Sequence, residues 1–345
     1  MAEGRDMART LTTYLETGSR DVAELVRQLA DAALELAGLI AAGAVGGEAV
    51  GDAHNGGGDV QKALDVAADR LFVAAARRAP VAFYGSEEQD DAQPMAADGT
   101  LALAIDPLDG SSNIETNVSI GTIFSVLPVT DAHRADPATV FRQKGRDQLA
   151  AGFFVYGPQL MLVISLGKGT QVFLHAPGAA DFVEVNAGMA IPEKAKEFSI
   201  NASNRRYWDT PIRHYIDDCL AGADGPRARN FNMRWVASAV ADAYRIFLRG
   251  GIYLYPGDTR EGYADGRIRL VYEANPIAFL AEQAGGAGTD GLRPLLDIVP
   301  EKLHQRVPIV FGSRDEVMTV ARYVSDPESI GRASPVFGDR GAINL

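Results

Sequence analysis

Cysteine is all but missing from this chain of 345 residues, and the single Cys219 rules out an intrachain disulfide. Cys219 falls in a segment of helical spacing, residues 212–220, and reads as a packed apolar side chain rather than a nucleophile, since free cysteine is among the most buried residue types. Positive charge is short as well: 33 Lys and Arg face 45 Asp and Glu, a net charge of −12. That balance argues against a nucleic-acid partner, because binding a polyanion takes a basic face. An anionic substrate would have to be met locally, by metal ions or a few placed arginines. No apolar run approaches the ~20 residues that cross a bilayer, so no membrane partner is expected. Residues 1–9 mix both charges and lack the apolar centre of a secretory signal. The expectation is a soluble, cytoplasmic protein, in which the glycosylation-like triplets at Asn117 and Asn201 are coincidences.

What is present is ordinary globular material, 47% hydrophobic and 23% charged, enough for a large core in two domains. Val22, Leu25, Val26, Leu29, Ala33, Leu36 and Ile40 recur at helical spacing and predict an amphipathic helix. Repeated glycines and scarce bulky residues over 43–58 predict a mobile loop. A second amphipathic helix is expected over 60–78, with Pro80 marking its end. Residues 81–84 and 101–105 read as short buried strands. Residues 120–129 and 149–166, with Phe173, Phe182 and Val185, are strand-like, rich in β-branched and aromatic side chains. A polar stretch at 188–196, containing Pro192, predicts a joint between an N-terminal domain, 1–192, and a C-terminal domain, 193–345. Beyond it, helices over 208–220, 236–248 and 276–284 alternate with strands over 252–255, 268–272 and 307–311 before a terminal helix. The mixture indicates a layered α/β architecture. Gly286-Ala287-Gly288-Thr289-Asp290-Gly291 fits the dinucleotide fingerprint, but a helix precedes it and a strand-like run follows, so its glycines read as a helix stop and turn.

Three acidic clusters carry the chemistry: Asp59 with Asp65, the pair Glu87-Glu88 after the first strand, and Asp106-Pro107-Leu108-Asp109 after the second. Pro107 cannot donate a hydrogen bond, so the strand is expected to stop there. Asp106 and Asp109 can then face one point across a turn with the carbonyl of Leu108 between them. Hard divalent cations prefer such oxygen ligands, and magnesium keeps few protein ligands so that water and phosphate complete its shell. Gly110, Ser111, Ser112 and Asn113 follow at once, small residues whose backbone N–H groups suit phosphate oxygens. Metal ligands and phosphate donors adjacent in sequence are what a metal-assisted phosphatase needs.

Ile105-Asp106-Pro107-Leu108-Asp109-Gly110-Ser111-Ser112-Asn113-Ile114, followed by Val118-Ser119-Ile120-Gly121-Thr122-Ile123-Phe124, resembles the signature of class I fructose-1,6-bisphosphatases. Gly58-Asp59 through Leu64-Asp65-Val66, Ser86-Glu87-Glu88, Gly250 to Pro256, Tyr272-Glu273-Ala274-Asn275-Pro276 and His304 to Ile309 are similar to the same family, so the likeness covers about 10–324. Inositol monophosphatases share only the shorter Asp-Pro-hydrophobic-Asp-Gly core. The resemblance implies an α/β/α/β/α sandwich. It assigns metal ligation to Asp59, Glu87, Asp106, the Leu108 carbonyl, Asp109 and Glu273, with two or more Mg2+ per subunit and Mn2+ as an alternative. It gives preparation of the attacking water to Asp65 and Glu88, and contact with the sugar and its distal phosphate to Asn201, Arg234, Tyr255 and Arg267. It also implies a homotetramer in which Arg234 reaches the neighbouring subunit's site.

The reaction so implied is hydrolysis of the 1-phosphate of fructose 1,6-bisphosphate, with Asp59 joining the site when the glycine-rich loop closes. Some positions depart from the family pattern. Thr100-Leu101 stands for the lysine-tyrosine pair of the animal AMP pocket and Pro128 for an arginine there, so AMP inhibition is expected to be weak or absent. A family lysine is Arg267, two tyrosines are Asn204 and Trp235, and Tyr207 is placed to supply a lost hydroxyl. A family methionine is Ala239, which would widen the sugar pocket and admit sedoheptulose 1,7-bisphosphate. The alternatives are thus a sedoheptulose or dual-activity bisphosphatase and an inositol-type monophosphatase. Gluconeogenic and carbon-fixing roles are equally compatible with the chain.

Overall fold

The computed structural model describes residues 9–43 and 57–326, with the side chains of 57–62 outside that description. Most of the glycine-rich loop expected over 43–58 therefore lies outside the described residues, as does the Asp59 side chain. The described chain opens with α1 (Leu11–Leu15), capped by the Thr10 hydroxyl, and α2 (Arg20–Ala42), capped by Ser19. The predicted stripe of Val22, Leu25, Val26, Leu29, Ala33 and Leu36 is the buried face of α2. After α3 (Gly57–Arg77) come β1 (Val81–Ser86), β2 (Gln93–Pro94), β3 (Leu101–Asp109), β4 (Ile120–Pro128), the short α4 (Asp131–Ala135), β5 (Ala150–Tyr156), β6 (Leu160–Ser165), β7 (Thr170–His175) and β8 (Val183–Met189). These strands form one eight-stranded sheet in the order β2-β1-β3-β4-β5-β6-β7-β8, antiparallel except where β1 runs parallel to β3. The apolar run 149–166 resolves into the β5–β6 hairpin.

Both faces of this sheet are covered. Along β5, Ala150, Phe154 and Tyr156 meet the α2–α3 layer, while Ala151, Phe153 and Val155 point the other way into a second core. Strand side chains alternate faces, so a strand buried on both sides reads as a continuous apolar run. The second half supplies β9 (Glu197–Ser199), α5 (Thr210–Leu220), β10 (Asn232–Met233), α6 (Ala239–Arg249), β11 (Ile252–Tyr255), β12 (Ile268–Arg269), α7 (Asn275–Gln283), β13 (Ala287–Thr289), β14 (Arg306–Val307), β15 (Ile309–Gly312) and α8 (Arg314–Ser325). Its five-stranded sheet runs β10-β9-β11-β15-β13, with β12 and β14 paired apart. Val240, Ala243 and Phe247 of α6 and Ile277, Ala278 and Leu280 of α7 fill the space between the two sheets. Ile212, Tyr215 and Ile216 of α5 and Val317 and Val320 of α8 cover the outer face of the smaller one. The result is the expected α/β/α/β/α layering in a two-domain α/β fold. Cys219 sits in that outer layer, 1% exposed, its thiol pushed up to about 12 by burial, which suits packing and not reactivity.

Four elements differ from expectation, each for a local reason. β3 does not stop at Pro107 but continues to Asp109, because one extra residue is absorbed as a bulge: Asp106 pairs with Ile123 and Asp109 with Gly121. The Pro107 carbonyl there accepts the Thr122 hydroxyl at 2.8 Å. The strand expected over 268–272 shrinks to two residues and gives way to a π-helical turn, Leu270–Ala274, in which the Asn275 N–H reaches Leu270. Pro276 has no N–H to extend a regular ladder back into this turn. The helix expected from 236 starts at Ala239, since Ala237 adopts φ +67° and Ser238 caps the helix. The helix expected from 208 starts at Thr210, after the extended Trp208 and Asp209.

Gly121, the partner of Asp109, has no room for a side chain: a Cβ there would lie 2.2 Å from the Phe154 carbonyl and 2.6 Å from Val240. Gly121→Ala is expected to cost about 3 kcal/mol, because backbone on one side and core on the other leave no room to relax. An unfolding free energy from urea within ~0.5 kcal/mol of the parent's, at equal m, would show that the strand yields.

Candidate active site

The bulge in β3, the π-turn and the start of α6 bring three carboxylates to one point. One oxygen each from Asp106, Asp109 and Glu273 lies within 4.8 Å of the others, although 167 residues separate the first from the last (273 − 106). All three are buried, at 3%, 8% and 4% exposure. Each is pinned by a backbone N–H: Leu108 donates to Asp106 at 3.0 Å, Val240 to Asp109 at 3.0 Å and Arg269 to Glu273 at 2.6 Å. Val240 lies in the first turn of α6, where the helix dipole also favours an anion. Burial and the charge of Glu87 raise all three carboxyls, Asp109 to about 7 and Asp106 and Glu273 well above the carboxylate range. Three buried anions at this spacing fit a hard divalent cation, which removes the repulsion that otherwise keeps them protonated.

Glu87 and Glu88 follow β1, where the Glu87 N–H still donates to Ile105 at 3.1 Å. Glu87 is half-buried and pairs with Arg269 at 2.9 Å. Asp65, half-buried on α3, is raised to about 6, chiefly by burial, with a hydrogen bond from Ser111 opposing the shift and the charge of Glu87 adding to it. The partly exposed Glu88 is raised to about 7 by burial, then by Asp65 and Glu87. The structure thus joins Asp65, Glu87, Glu88 and Ser111 to the buried triad in one electrostatic cluster.

Gly110, at φ +77°, turns the chain out of β3 into the Ser111–Asn113 turn. Asn113 donates to the Ala237 carbonyl at 2.8 Å, tying this turn to the segment before α6. That segment is itself fixed by the buried Asp242, which accepts the N–H groups of Val236 and Ala237, each at 3.2 Å, and the Ser199 hydroxyl at 2.8 Å. Within it, Trp235 stacks on Tyr253 at 5.8 Å and lies 6.0 Å from Tyr255. Tyr255 and Asn201 line one small cleft with Asn204, Trp208 and Asp258. The other two residues expected at the sugar do not join it. Arg267 is exposed and lies over the Tyr263 ring, and the exposed Arg234 donates to its neighbour's carbonyl at Met233.

The N-terminal domain of fructose-1-6-bisphosphatase matches residues 8–187, and the C-terminal domain of the same family matches 191–325. The chain belongs to the class I fructose-1,6-bisphosphatase family. It is 55% identical over 333 residues to the fructose-1,6-bisphosphatase class 1 of Sinorhizobium medicae, covering 96% of this chain and 95% of that one. It is 56% identical over 326 residues to that of Rhizobium meliloti, covering 94% and 93%. Among solved structures, the Leishmania major fructose-1,6-bisphosphatase in holo form superposes with a TM-score of 0.84 at 32% identity, over 92% of this chain and 99% of that one.

Two residues of this bisphosphatase fold went unread in the sequence. Arg269 touches both Glu87, through its guanidinium, and Glu273, through its N–H. Its place four residues before Glu273 was the available signal. Asp69 accepts from Tyr84 at 2.9 Å, Ser86 at 2.7 Å and Gln89 at 2.8 Å, while the Ser86 oxygen accepts the Glu88 N–H at 3.2 Å. Asp69 therefore holds the turn that carries Glu87 and Glu88, and it follows Asp65 by one helical turn.

The raised carboxyls fix the sign of a pH effect. Without a cation the folded protein keeps protons on Asp65 to about pH 6 and on Glu88 and Asp109 to about pH 7, whereas the unfolded chain releases them near 4. Their contribution to stability is full below about pH 4 and is lost as pH rises through 6–7. A bound cation cancels that loss and competes with the protons. The melting temperature of the Mg2+-loaded protein is expected to exceed that of the EDTA-treated protein by a gap that widens by about 5 °C from pH 5 to pH 8. A gap independent of pH would contradict the cluster's electrostatics.

Proposed function

We propose that this chain hydrolyses the 1-phosphate of fructose 1,6-bisphosphate to give fructose 6-phosphate, with a divalent cation as cofactor. The observation that carries the reading is the buried Asp106–Asp109–Glu273 triad beside Asp65 and Ser111, in a member of this family. The cation is Mg2+, held by the triad with Glu87, the Leu108 carbonyl and Asp59; Mn2+ is the alternative. It supplies charge neutralisation at the phosphoryl group and the leaving oxygen. The chain's own residues do the rest. Asp65 or Glu88 takes a proton from the attacking water, and values near 6 and 7 give either carboxylate useful basicity at neutral pH. The turn at Gly110, Ser111, Ser112 and Asn113 offers donors to the phosphate oxygens, and its tie to Ala237 keeps it aligned with Asp109.

Asn201 and Tyr255 hold the sugar end, supported by their shared cleft, with Arg267 at the distal phosphate. Arg234, exposed in the single chain, serves a neighbouring subunit's site in a homotetramer. The domain joint falls near residue 192, a division supported by family matches that end at 187 and resume at 191. The described residues contain no helix able to cross a membrane, in keeping with a cytoplasmic enzyme. A seven-carbon bisphosphate is the second reading, favoured by the small Ala239 beside the Val240 N–H that holds Asp109. AMP is a weak inhibitor at most: Thr100 is bonded to the Asp21 carboxylate, an acid facing any incoming phosphate, and Leu101 is buried.

Phosphate release from fructose 1,6-bisphosphate, sedoheptulose 1,7-bisphosphate and inositol 1-phosphate, with Mg2+ and with EDTA, tests the assignment. Mg2+-dependent release from the first is expected, and Asp106→Asn should lower its kcat by about a thousandfold. Near-normal turnover of that variant at saturating Mg2+, or release from inositol 1-phosphate alone, would overturn it. AMP at micromolar concentration is expected to leave the rate unchanged, and half-inhibition there would refute the reading of Thr100 and Asp21.

A further inference from the structure

His304 touches two separate segments of the acidic site. Its Nε2 lies 2.9 Å from the Gln89 carbonyl and 3.1 Å from that of Asp90, at the end of the turn that carries Glu87 and Glu88. Its Nδ1 lies 2.8 Å from the hydroxyl of the buried Tyr272, in the π-turn that carries Glu273. Carbonyl oxygens only accept, so Nε2 bears a hydrogen, and the Nδ1 lone pair of the neutral ring takes the Tyr272 O–H. Burial and the charge of Glu87 raise the Tyr272 phenol, which keeps that hydrogen in place. The two rings also meet edge to face, with centroids 5.8 Å apart at 71°, a contact that fixes the imidazole's orientation as well as its position.

The neighbours of His304 in the chain are committed to the same two places. Leu303 packs at β1, where a Cβ on Gly85 would lie 2.9 Å from its Cδ1. The Gln305 carbonyl accepts the Leu270 N–H at 2.7 Å, and Arg306 pairs with Arg269 where β14 meets β12. Residues 303–306 thus strap the end of β1 to the start of the π-turn, with the His304 ring bonded to both. Glu87 and Glu273 belong to the two segments so joined, and the charge of Glu87 reaches Glu273 and raises it. Like charges drive the segments apart, whereas a small hard cation demands its oxygen ligands at a fixed spacing. Arg269 opposes the repulsion through a long side chain, paired with Glu87 at 2.9 Å. We infer that the Tyr272–His304 pair is a positioning device that sets the separation of Glu87 from Glu273, and so the affinity of this site for a divalent cation. Neither ring needs to touch the ion, because their effect is to order the two segments before it arrives. The inference rests on the cation reading above.

The test uses Mn2+ as the probe, with the free ion counted by its paramagnetic resonance over the full-length, metal-stripped protein and no substrate present. Tyr272→Phe, which removes one oxygen, and His304→Ala are each expected to raise the Mn2+ Kd about tenfold. The double variant is expected to bind no more weakly than His304→Ala, because the two residues act as one unit; additive losses would contradict the pairing. Tyr323→Phe is the matched control, since it also loses a buried tyrosine hydrogen bond, to Asp218 at 2.6 Å, but in the outer layer. It is expected to lower the melting temperature and keep the parent's Kd. Tyr272→Phe nearly conserves side-chain volume, so it decides the question whatever the folding of His304→Ala. A Kd unchanged in Tyr272→Phe, or raised equally in Tyr323→Phe, overturns the inference while leaving the cation reading intact. Failure of the parent to bind Mn2+ would instead strike at that reading.

Discussion

Three carboxylates buried between two sheets repel one another, and much of the local irregularity of this fold exists to hold them there. A plain strand would send Asp106 and Asp109, three residues apart, to opposite faces, and the bulge at Pro107 brings them to one point. A regular helix from residue 270 would give up the wide turn that lets the Arg269 N–H reach the Glu273 oxygen. The late start of α6 leaves the Val240 N–H free for Asp109 rather than for a carbonyl of the helix. Each device spends regular hydrogen bonding to satisfy one anion, and none of them neutralises charge. The irregular backbone and the clustering of the three carboxylates therefore have one cause.

Around the triad, degree of burial separates roles among similar side chains. Burial and the neighbouring carboxylates raise Asp106 and Glu273 well above their ordinary values. Asp65 and Glu88 reach solvent, and their values near 6 and 7 come from partial burial and each other's neighbourhood. A carboxyl at that basicity exchanges protons with water at neutral pH. Asp69 stands outside both groups. Its three donors keep the Glu87–Glu88 turn against α3, so the placement of those two carboxylates beside Asp65 depends on a residue outside the cluster.

The layered fold was legible because its central strands are buried on both faces and its outer helices on one, patterns that leave different marks in sequence. The stripe of α2 and the apolar runs of β4 to β6 are cases in point. What sequence spacing misjudged was backbone detail at the site. Proline normally ends a strand, but Pro107 sits where a bulge needs no donor, and its carbonyl is paired by Thr122. Leu270, Val271 and Tyr272 are bulky and largely apolar, as in a strand, and became a π-turn because Pro276 and the Arg269–Glu273 contact override that preference. The Asp-Pro-Leu-Asp segment pointed to Asp106 and Asp109 by proximity in sequence, and the structure brings both together with Glu273 in one buried cluster. Arg269 escaped notice because its partners, Glu87 and Glu273, meet it only in three dimensions.

Arginine placement follows from the same electrostatics. A guanidinium within reach of the acidic cluster is consumed by it, as Arg269 is by Glu87 and Glu273, and serves as a counter-charge. Arginines beyond the carboxylates' reach are ordered by other means. Aromatic faces are one, since a tyrosine orders a guanidinium without neutralising it. Tyr207 and Tyr263 do this for Arg206, Arg260 and Arg267, with Asp258 moderating the middle of the row. In a chain of net charge −12, arginines are thus kept ordered in two ways, as counter-charges to buried carboxylates and as guanidiniums lying on aromatic faces.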